Sequence, residues 1–246
     1  MTTPAATYRE APAPPGLAPW VACAWELRAG PDGHVHRVLP DGCMDLLWDE
    51  RSGLNAVGPN LTAFLAALAP GAAVAGVRLR PGGAPPLFDV PAEALREATV
   101  PAEDLWGDDA RRLAARLEGD RGPAERALRM LGWLGARARR APRPDPLVAE
   151  VARTVADGPR ASVGRMADEA GVGARHLRRR VVTQVGYGPR RLARVLRLQR
   201  TVALAEAEPD AGLSEIAFRA GFADQAHLSH ECRDLAGLPP SRLLAR

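Results

Sequence analysis

The feature that most constrains this chain is a short helical pattern that occurs twice in its last third. In each copy, apolar residues recur at i, i+3, i+4 and i+7 and a glycine follows, which predicts an amphipathic helix closed by a glycine cap. The first copy consists of Val163, Met166, Ala167, Ala170 and Gly171. The second copy consists of Leu213, Ile216, Ala217, Ala220 and Gly221. The stretch from Ser162 to Leu244 is therefore expected to fold as two similar helical units.

Each glycine is followed by one apolar residue, a short polar turn and a second helical pattern. Leu177 and Val181 anchor that second helix in the first copy, and Leu228 and Cys232 anchor it in the second. Two helices joined by a short turn that contains glycine form the helix-turn-helix signature, in which the second helix enters the major groove of DNA. One match is typical of any helical hairpin, whereas two in tandem are more specific.

The segment resembles the DNA-binding domain of the AraC/XylS family of transcription regulators. The residues that carry the resemblance are Met166-Ala167, Ala170-Gly171, His176 to Arg179, Leu196 to Gln199, Ile216-Ala217, Ala220 to Gln225 and Gly237 to Pro240. The sequence departs from the family at Val181 and Cys232, where a core Phe is usual, at His230, where Arg is usual, and at Leu243, where Tyr is usual. The resemblance implies double-stranded DNA and RNA polymerase as partners.

Two recognition helices are expected, one beginning at Gly173 or Ala174 and one running from about Asp224 to Leu235. The candidate DNA-binding residues are Arg175, His176, Arg178, Arg179 and Arg180 on the first helix and Gln225, Ala226, Ser229, His230 and Arg233 on the second. Arg175, Arg178 and Arg179 share one face, and the arginine fork matches guanine O6 and N7. His176 and Arg180 lie off that face and are candidates for phosphate contacts. The alternative for the second helix is weak docking, because its sequence also contains Asp224, Glu231 and Asp234.

Charge is distributed unevenly along the chain. The net charge of +4 divides into −2 for residues 1–150 and +6 for residues 151–246. Nine arginines and no carboxylate occur between Arg175 and Arg200. A one-sign cluster of this kind is the electrostatic footprint of a phosphate-binding face. The alternative is a solvated helix face that binds nothing.

The N-terminal half has the pattern of a small antiparallel barrel or sandwich, so the fold class predicted for the chain is α+β. Short apolar runs separated by Gly and Pro predict strands, and these runs are Val21–Leu27, His34–Leu39, Met44–Trp48, Leu54–Val57 and Val74–Leu79. An irregular lead-in is expected over residues 1–19. Helical patterns follow at 108–117 and 123–139, then a Pro-rich linker at 141–146, and further helices at 146–156 and 189–206. The predicted domains are residues 1–140, a sensor or dimerisation domain, and residues 141–246, the DNA-binding domain.

Part of this half resembles a cupin-like sensor domain found ahead of AraC-type domains, through Arg37 to Leu47, Gly58-Pro59, Gly76 to Gly82 and Leu105 to Gly107. The resemblance implies a small-molecule effector, for which the candidate residues are Trp25, His36, Trp48 and Trp106. The alternative is that the tryptophans are only core. The helices that follow often pair subunits in such proteins, which suggests a homodimer, or they pack on the barrel. No cofactor is expected. The candidate ligands for a metal are His34, His36 and Cys43, and the alternative is that Cys43 simply holds a turn.

Several classes of protein are disfavoured. The sequence contains no nucleophile elbow, phosphate-cradling glycine loop or zinc His/Glu motif, so an enzyme is not expected. Alkylation-repair proteins that carry an AraC-type domain need four metal-binding cysteines, and this chain has three cysteines in all. Because no run of about 18 apolar residues or signal pattern occurs, a cytoplasmic protein without a membrane span is expected. The sequence thus predicts an effector-sensing, sequence-specific transcription regulator; the alternatives are a constitutive regulator whose N-terminal domain only mediates assembly and a metal-responsive regulator.

Overall fold

The computed structural model describes residues 6–157 and 163–245, and it has a sheet-rich N-terminal half and an all-helical C-terminal half. The α+β class predicted from the sequence is confirmed. Residues 1–5 of the expected lead-in and Ser162, where the predicted repeat begins, lie outside the described residues, as does the side chain of Val163.

The strands follow the apolar runs of the sequence, with three additions. In the described residues they are β1 Ala6–Pro12, β2 Val21–Ala29, β3 His34–Val38, β4 Met44–Asp49, β5 Gly53–Val57, β6 Phe64–Leu68, β7 Ala73–Leu79 and β8 Thr99–Pro101. One sheet has the order β1-β2-β7-β4-β5-β8, and β3 pairs with β6 in a second sheet. All of these pairings are antiparallel.

Two of the additional strands, β1 and β6, lack the sequence pattern that usually predicts a strand. β1 replaces part of the irregular lead-in expected over residues 1–19, because Ala6 to Pro12 pair with Cys23 to Ala29 of β2, although six of the seven are exposed. An exposed edge strand needs no apolar alternation, so its sequence carries little signal. β6 has the sequence Phe-Leu-Ala-Ala-Leu, which lacks the β-branched residues that usually mark a strand.

The helices of the first half form a layer on one face of the larger sheet. In the described part of the chain the helices are α1 Pro85–Phe88, α2 Ala102–Trp106, α3 Asp108–Glu118, α4 Pro123–Ala138, α5 Pro146–Asp157, α6 Val163–Glu169, α7 Ala174–Val185, α8 Pro189–Ala207, α9 Leu213–Ala220, α10 Gln225–Ala236 and α11 Pro240–Leu243. Short 3₁₀ turns occur at Pro15–Leu17 and Ala92–Leu95. α4 packs against β2 and β7.

Strand alternation decides which side chains meet that helical layer. Met44, Leu46 and Trp48 of β4 are buried on the helix side, together with Leu79 of β7 and Leu134 of α4. Each large apolar side chain that is fully buried here stabilises the fold by about 1.5–3 kcal/mol. The opposite face of the sheet is therefore left to β3 and β6, and the space between the two sheets becomes a cavity.

A second core unites the C-terminal helices around α8. Leu192, Val195 and Leu198 of α8 are fully buried among residues of α5, α7 and α10. This core draws its buried residues from 148 to 236, whereas the core on the helix side of the sheet draws on residues 17 to 138. The domain boundary between residues 140 and 141 stays a prediction.

The two halves meet at several places, among them the end of β3, the segment between β5 and β6, and the 3₁₀ turn Ala92–Leu95, which packs against α7. The backbone N–H of Ala63 donates to the carbonyl oxygen of Leu235 at 2.7 Å. Arg37 Nη1 donates to the carbonyl oxygen of Ala236, the last residue of α10, at 2.8 Å. Arg191 Nη2 of α8 donates to the carbonyl oxygen of Leu61 at 2.7 Å. Both α8 and the end of α10 are thus held by the N-terminal half.

Candidate functional site

The two predicted units close their first helices in the same way. Gly171 and Gly221 both have positive φ, at +63° and +91°. The N–H of the following residue bonds back across five positions, from Val172 to Ala167 O and from Phe222 to Ala217 O, each at 2.9 Å. This is the hydrogen bond of a Schellman cap, and glycine adopts the left-handed conformation it needs without strain. The two copies differ in the burial of the alanine before the glycine. Ala220 is fully buried, whereas Ala170 is exposed.

The first recognition helix, α7, presents a basic stripe to solvent. Its apolar residues Leu177 and Val181 are fully buried on the other side. Arg175, Arg178 and Arg179 are exposed, and none of them forms an ion pair with any residue that the structure describes. His176 is also exposed, with its Nδ1 3.4 Å from Nη2 of Arg179. The stripe therefore carries three arginine forks that are available to an external partner.

Arg180 lies apart from this stripe and has a partner within the chain. Its Nε donates to Asp145 Oδ2 at 2.7 Å, and its Nη2 contacts the other oxygen of that carboxylate. Asp145 also accepts the backbone N–H groups of Leu147 and Val148, so it caps α5. Burial alone would raise the pKa of Asp145, but the Arg180 and backbone hydrogen bonds outweigh it and the pKa is lowered. Arg180, a candidate phosphate contact in the sequence, thus joins α7 to the linker, and its contact with DNA stays a prediction.

The second recognition helix, α10, has a mixed polar stripe. Asp224 accepts the N–H of His227 at 2.7 Å and is the N-cap that its position predicts. Ala226, Ser229, His230 and Arg233 share one face at i, i+3, i+4 and i+7, and all except the half-buried Ser229 are exposed. Gln225 stands at the helix start and accepts a hydrogen bond from Ser214 at 3.2 Å.

The acidic residues of α10 face α8 and not the polar stripe. Glu231 is buried and accepts from Arg194 Nε at 2.9 and 3.1 Å, and Asp234 contacts the same guanidinium through Nη2. The hydrogen bond to Glu231 raises the pKa of Arg194. The alternative of weak docking therefore loses part of its basis, because Glu231 and Asp234 are both paired with Arg194, although Asp224 remains exposed at the start of the helix. Sequence reasoning missed Arg194 for this role, since the register between α8 and α10 cannot be read from either helix alone.

A cavity of about 260 Å³ lies between the two sheets. Its walls are mainly apolar and aromatic, with Tyr8 from β1, Trp25 from β2, and His36 and Phe64 from the smaller sheet. Gly76 of β7 leaves room for the Trp25 indole, because a Cβ at Gly76 would lie 2.3 Å from the ring. The indole Nε1 donates to Asp45 Oδ1 at 2.7 Å.

Arg78 lines the cavity and is surrounded by a cluster of polar groups, some of which lie behind the cavity wall. Arg78 Nη1 donates to Glu10 at 3.3 Å. Arg78 Nε lies 3.3 Å from Asp41 Oδ2 and 3.6 Å from Asp45 Oδ1, although its N–H is not aligned for a hydrogen bond to either oxygen. Glu10 in turn accepts the Tyr8 hydroxyl at 2.5 Å. No single motif in the sequence marks this cluster, which depends on the register of β1, β2, β4 and β7.

Two of the four predicted effector residues line the cavity and two do not. Trp25 and His36 are in its wall. Trp48 points to the helix side of the sheet, where Arg126 lies over its ring at 5.8 Å. Trp106 packs edge-on against Phe88 in the helical layer, with ring centroids 5.0 Å apart. Strand alternation explains the difference for Trp48, because the next residues on either side of it are the ones that face the cavity.

The candidate metal ligands are not gathered into a metal site. His34 and His36 lie on one face of β3 with ring centroids 5.8 Å apart. Cys43 is instead held in a turn, in which its N–H donates to Asp41 Oδ1 at 2.8 Å. Within the described ranges, no group of three His, Cys, Asp or Glu residues has the arrangement of a metal site.

Comparison with known protein families supports the helix-turn-helix arrangement of the C-terminal half. Residues 166–246 match a family model described as a helix-turn-helix domain. The C-terminal part of the chain is an AraC-type helix-turn-helix domain. The resemblance predicted from the sequence is thereby confirmed, and the AraC-type domain gives the chain a DNA-binding function. Residues 9–101 match a family model described as a domain of unknown function, DUF6597, and no curated protein sequence matches the chain.

A solved structure of ToxT has a similar fold across both halves of the chain. ToxT from Vibrio cholerae, in a structure bound to (E)-4-(8-methylnaphthalen-1-yl)but-3-enoic acid, has a TM-score of 0.50 at 12% identity, covering 97% of each chain. The C-terminal domain of AraT, a response regulator from Geobacillus stearothermophilus, has a TM-score of 0.37 at 19% identity, covering 40% of this chain and 83% of that one. At such low identity the likeness to ToxT is one of fold.

Within the AraC-type domain, the arginine cluster divides into free and engaged members. Arg180 and Arg194 bind carboxylates, Arg191 and Arg200 bind carbonyl oxygens, and the Arg197 guanidinium lies over the Phe222 ring at 5.4 Å. The exposed members are Arg175, Arg178, Arg179 and Arg190. The phosphate-binding footprint is therefore smaller than the nine arginines of the sequence suggest.

None of the described helices is long and apolar enough to cross a bilayer.

Asp45 is expected to make the stability of the N-terminal half depend on pH. Burial raises the pKa of Asp45 to about 6, against the opposing effect of Arg78. Because the folded state holds the proton more tightly, this contribution is fully present below pH ~4 and is lost as the pH rises through about 6. Relative to Asp45→Asn, the parent should gain about 1.4 kcal/mol of unfolding free energy between pH 7.5 and pH 5. Urea unfolding at the two pH values measures this difference, and a constant difference would contradict it.

Proposed function

We propose that this chain is a sequence-specific transcription regulator whose N-terminal half binds a small-molecule effector. The observation that carries the DNA-reading part is the exposed stripe of Arg175, Arg178 and Arg179 on α7. Arginine presents a planar fork that can bond guanine O6 and N7 together, which makes it a suitable residue for reading sequence in the major groove. The exposed His230 and Arg233 on α10 supply a second reading surface.

The length of α8 supports simultaneous use of both helices. A helix of 19 residues spans about 28 Å, and it connects the first unit to the second. Successive turns of the major groove on one face of DNA are about 34 Å apart. A stiff connector of this length is suited to holding two recognition helices in adjacent turns of the groove.

The cavity between the sheets supports effector binding over a constitutive regulator. A domain that only mediates assembly needs no internal space, whereas this one keeps a largely apolar cavity with a few convergent polar groups, as ligand sites do. ToxT, whose fold is similar, is bound to an aromatic acid in one structure. A cytoplasmic location, a homodimer, contacts with RNA polymerase and the absence of catalytic activity remain part of the proposal.

Replacing Arg178 or Arg179 by alanine should weaken binding to the specific site by about 1–3 kcal/mol and relax the preference at particular base pairs. The reason is that each variant loses one bidentate contact to a base edge. The measurement is fluorescence anisotropy of the full chain on its selected site and on scrambled DNA, over a salt series. The parent should lose affinity steeply with salt, with a slope of about −0.9 per phosphate contacted.

The matched control is Arg112→Ala, which removes another exposed arginine, from α3 in the other half of the chain. It should leave both affinity and preference close to those of the parent. An equal loss on specific and scrambled DNA, together with a shallower salt slope, would identify Arg178 and Arg179 as phosphate contacts. Affinity independent of salt in the parent would contradict the proposed function itself.

A further inference from the structure

The charge of the cavity indicates which chemical class of ligand it accepts. Arg78 is the one permanently charged cation among the described residues that line it, and Asp45 and Asp49 are the anions. Behind the wall, Glu10 and Asp41 also contact the Arg78 guanidinium. Three carboxylates thus face one guanidinium, which leaves an excess of two negative charges when all are ionised.

Arg78 is poorly placed to hold an anionic ligand. A ligand carboxylate or phosphate bonded to Arg78 would displace or crowd the carboxylates of Glu10, Asp41 and Asp45, which lie 3.3 to 3.6 Å from it. Like charges in a partly dry cavity repel strongly, because the effective dielectric constant there is far below that of water. His36 does not offset this, because burial and the neighbouring His34 and Arg78 lower its pKa and favour its neutral form.

The aromatic residues of the cavity wall, like its charge, favour a cationic ligand. Tyr8 lies between Trp25 and His36, with ring centroids 6.2 and 6.1 Å apart, and the Tyr8 and His36 rings are stacked at 17°. Faces of Trp and Tyr attract organic cations, and clusters of such rings are known to recognise ammonium groups. The Trp25 indole is fixed by its hydrogen bond to Asp45, so a carboxylate and an aromatic face lie side by side in the wall.

We propose that this cavity binds a small organic ammonium ion, whose charged nitrogen lies near Asp45 and whose apolar body contacts Trp25, Tyr8 and Phe64. The proposal rests on the proposed effector function and names the chemical class of the effector. No bond forms or breaks in this site, and binding depends on charge, aromatic contact and the exclusion of water. The contrast with an aromatic acid, the ligand of the ToxT structure, gives the proposal a direct test.

The test uses two probes that share a phenylethyl body and differ in charge, 2-phenylethylammonium and 3-phenylpropionate. Isothermal titration calorimetry with the full chain at pH 8 measures both affinities. The ammonium probe should bind at least tenfold more tightly than the carboxylate probe. Asp45→Asn should reduce the affinity for the ammonium probe at least tenfold, whereas Asp32→Asn, an exposed turn residue outside the cavity wall, should not change it.

A second variant keeps the test valid if Asp45→Asn does not fold. Ala66→Phe fills the cavity from β6 and leaves the charged cluster intact, so it should abolish ammonium binding. Tighter binding of 3-phenylpropionate would overturn the ammonium proposal and leave effector binding standing. Binding of neither probe would also overturn the ammonium proposal, and salt-dependent DNA binding by the same sample would show that the regulator function survives it. Ammonium binding that persists in Ala66→Phe would place the site elsewhere and refute this assignment.

Discussion

Arg194→Ala is expected to lower the free energy of unfolding by about 2–3 kcal/mol, because the buried Glu231 loses its guanidinium partner and keeps, among the described residues, only the His227 ring nitrogen at 3.9 Å. Removing one member of a fully buried ion pair typically costs about 3–5 kcal/mol. A smaller loss of unfolding free energy is expected for this pair, because the Arg194 side chain is 31% exposed, although that of Glu231 is only 9% exposed. Asp234 loses the same contact, so the loss falls on α10 and the second unit. Urea unfolding followed by far-ultraviolet circular dichroism gives the magnitude.

Two further variants separate the ion pair from a general effect of mutating α8. Arg190→Ala removes an exposed arginine of the same helix that has no ion pair with any described residue, and it should change stability by less than about 0.5 kcal/mol. Replacing both Arg194 by Met and Glu231 by Leu removes the uncompensated charge and should recover most of the loss. If the double variant were as unstable as Arg194→Ala, the unpaired carboxylate would not be the cause.

Gly76→Ala is expected to destabilise the N-terminal half by about 2–3 kcal/mol, in the upper part of the range for overpacked cores. The new methyl group would lie 2.3, 2.4 and 2.7 Å from three atoms of the Trp25 ring. The ring cannot turn aside easily, because its N–H is held by Asp45 and the residue is buried between the two sheets. Urea unfolding monitored by tryptophan fluorescence reports both the stability and the altered surroundings of Trp25.

The control substitution for this prediction is expected to raise stability, not to lower it. Gly132 lies in the interior of α4, and a Cβ there would meet nothing within 4 Å. Gly132→Ala should therefore stabilise the chain by about 0.5–1 kcal/mol, the usual gain from removing glycine from an exposed helix interior. Equal effects of the two substitutions would show that the contact with Trp25 does not determine the cost at Gly76.

The elements that the sequence predicted well are those with a local cause. Gly171 and Gly221 end helices because the left-handed conformation is a property of the residue itself, and Asp224 caps α10 through a bond to His227 three positions away. Both recognition helices begin within one residue of the expected positions. Such features need only a few consecutive residues, so a single sequence is sufficient to locate them.

The features that the sequence did not predict depend on contacts between distant segments. Arg180 and Arg194 look alike in the cluster, but each has a carboxylate partner 35 to 40 positions away. Trp48 was expected beside an effector because it is aromatic, although the alternation of β4 already placed Asp45 on the opposite face from it. The pattern of a strand separates its two faces, but only tertiary packing decides which face borders a cavity.

β3 connects the cavity to the second recognition helix, because His36 lines the cavity while its neighbour Arg37 binds the carbonyl oxygen at the end of α10. Adjacent residues of a strand point in opposite directions, so a displacement of this strand changes both contacts at once. If filling the cavity displaces β3, the two binding equilibria share a coupling free energy, and thermodynamic linkage makes that coupling reciprocal. The factor by which the effector changes the affinity for the operator is then the factor by which the operator changes the affinity for the effector.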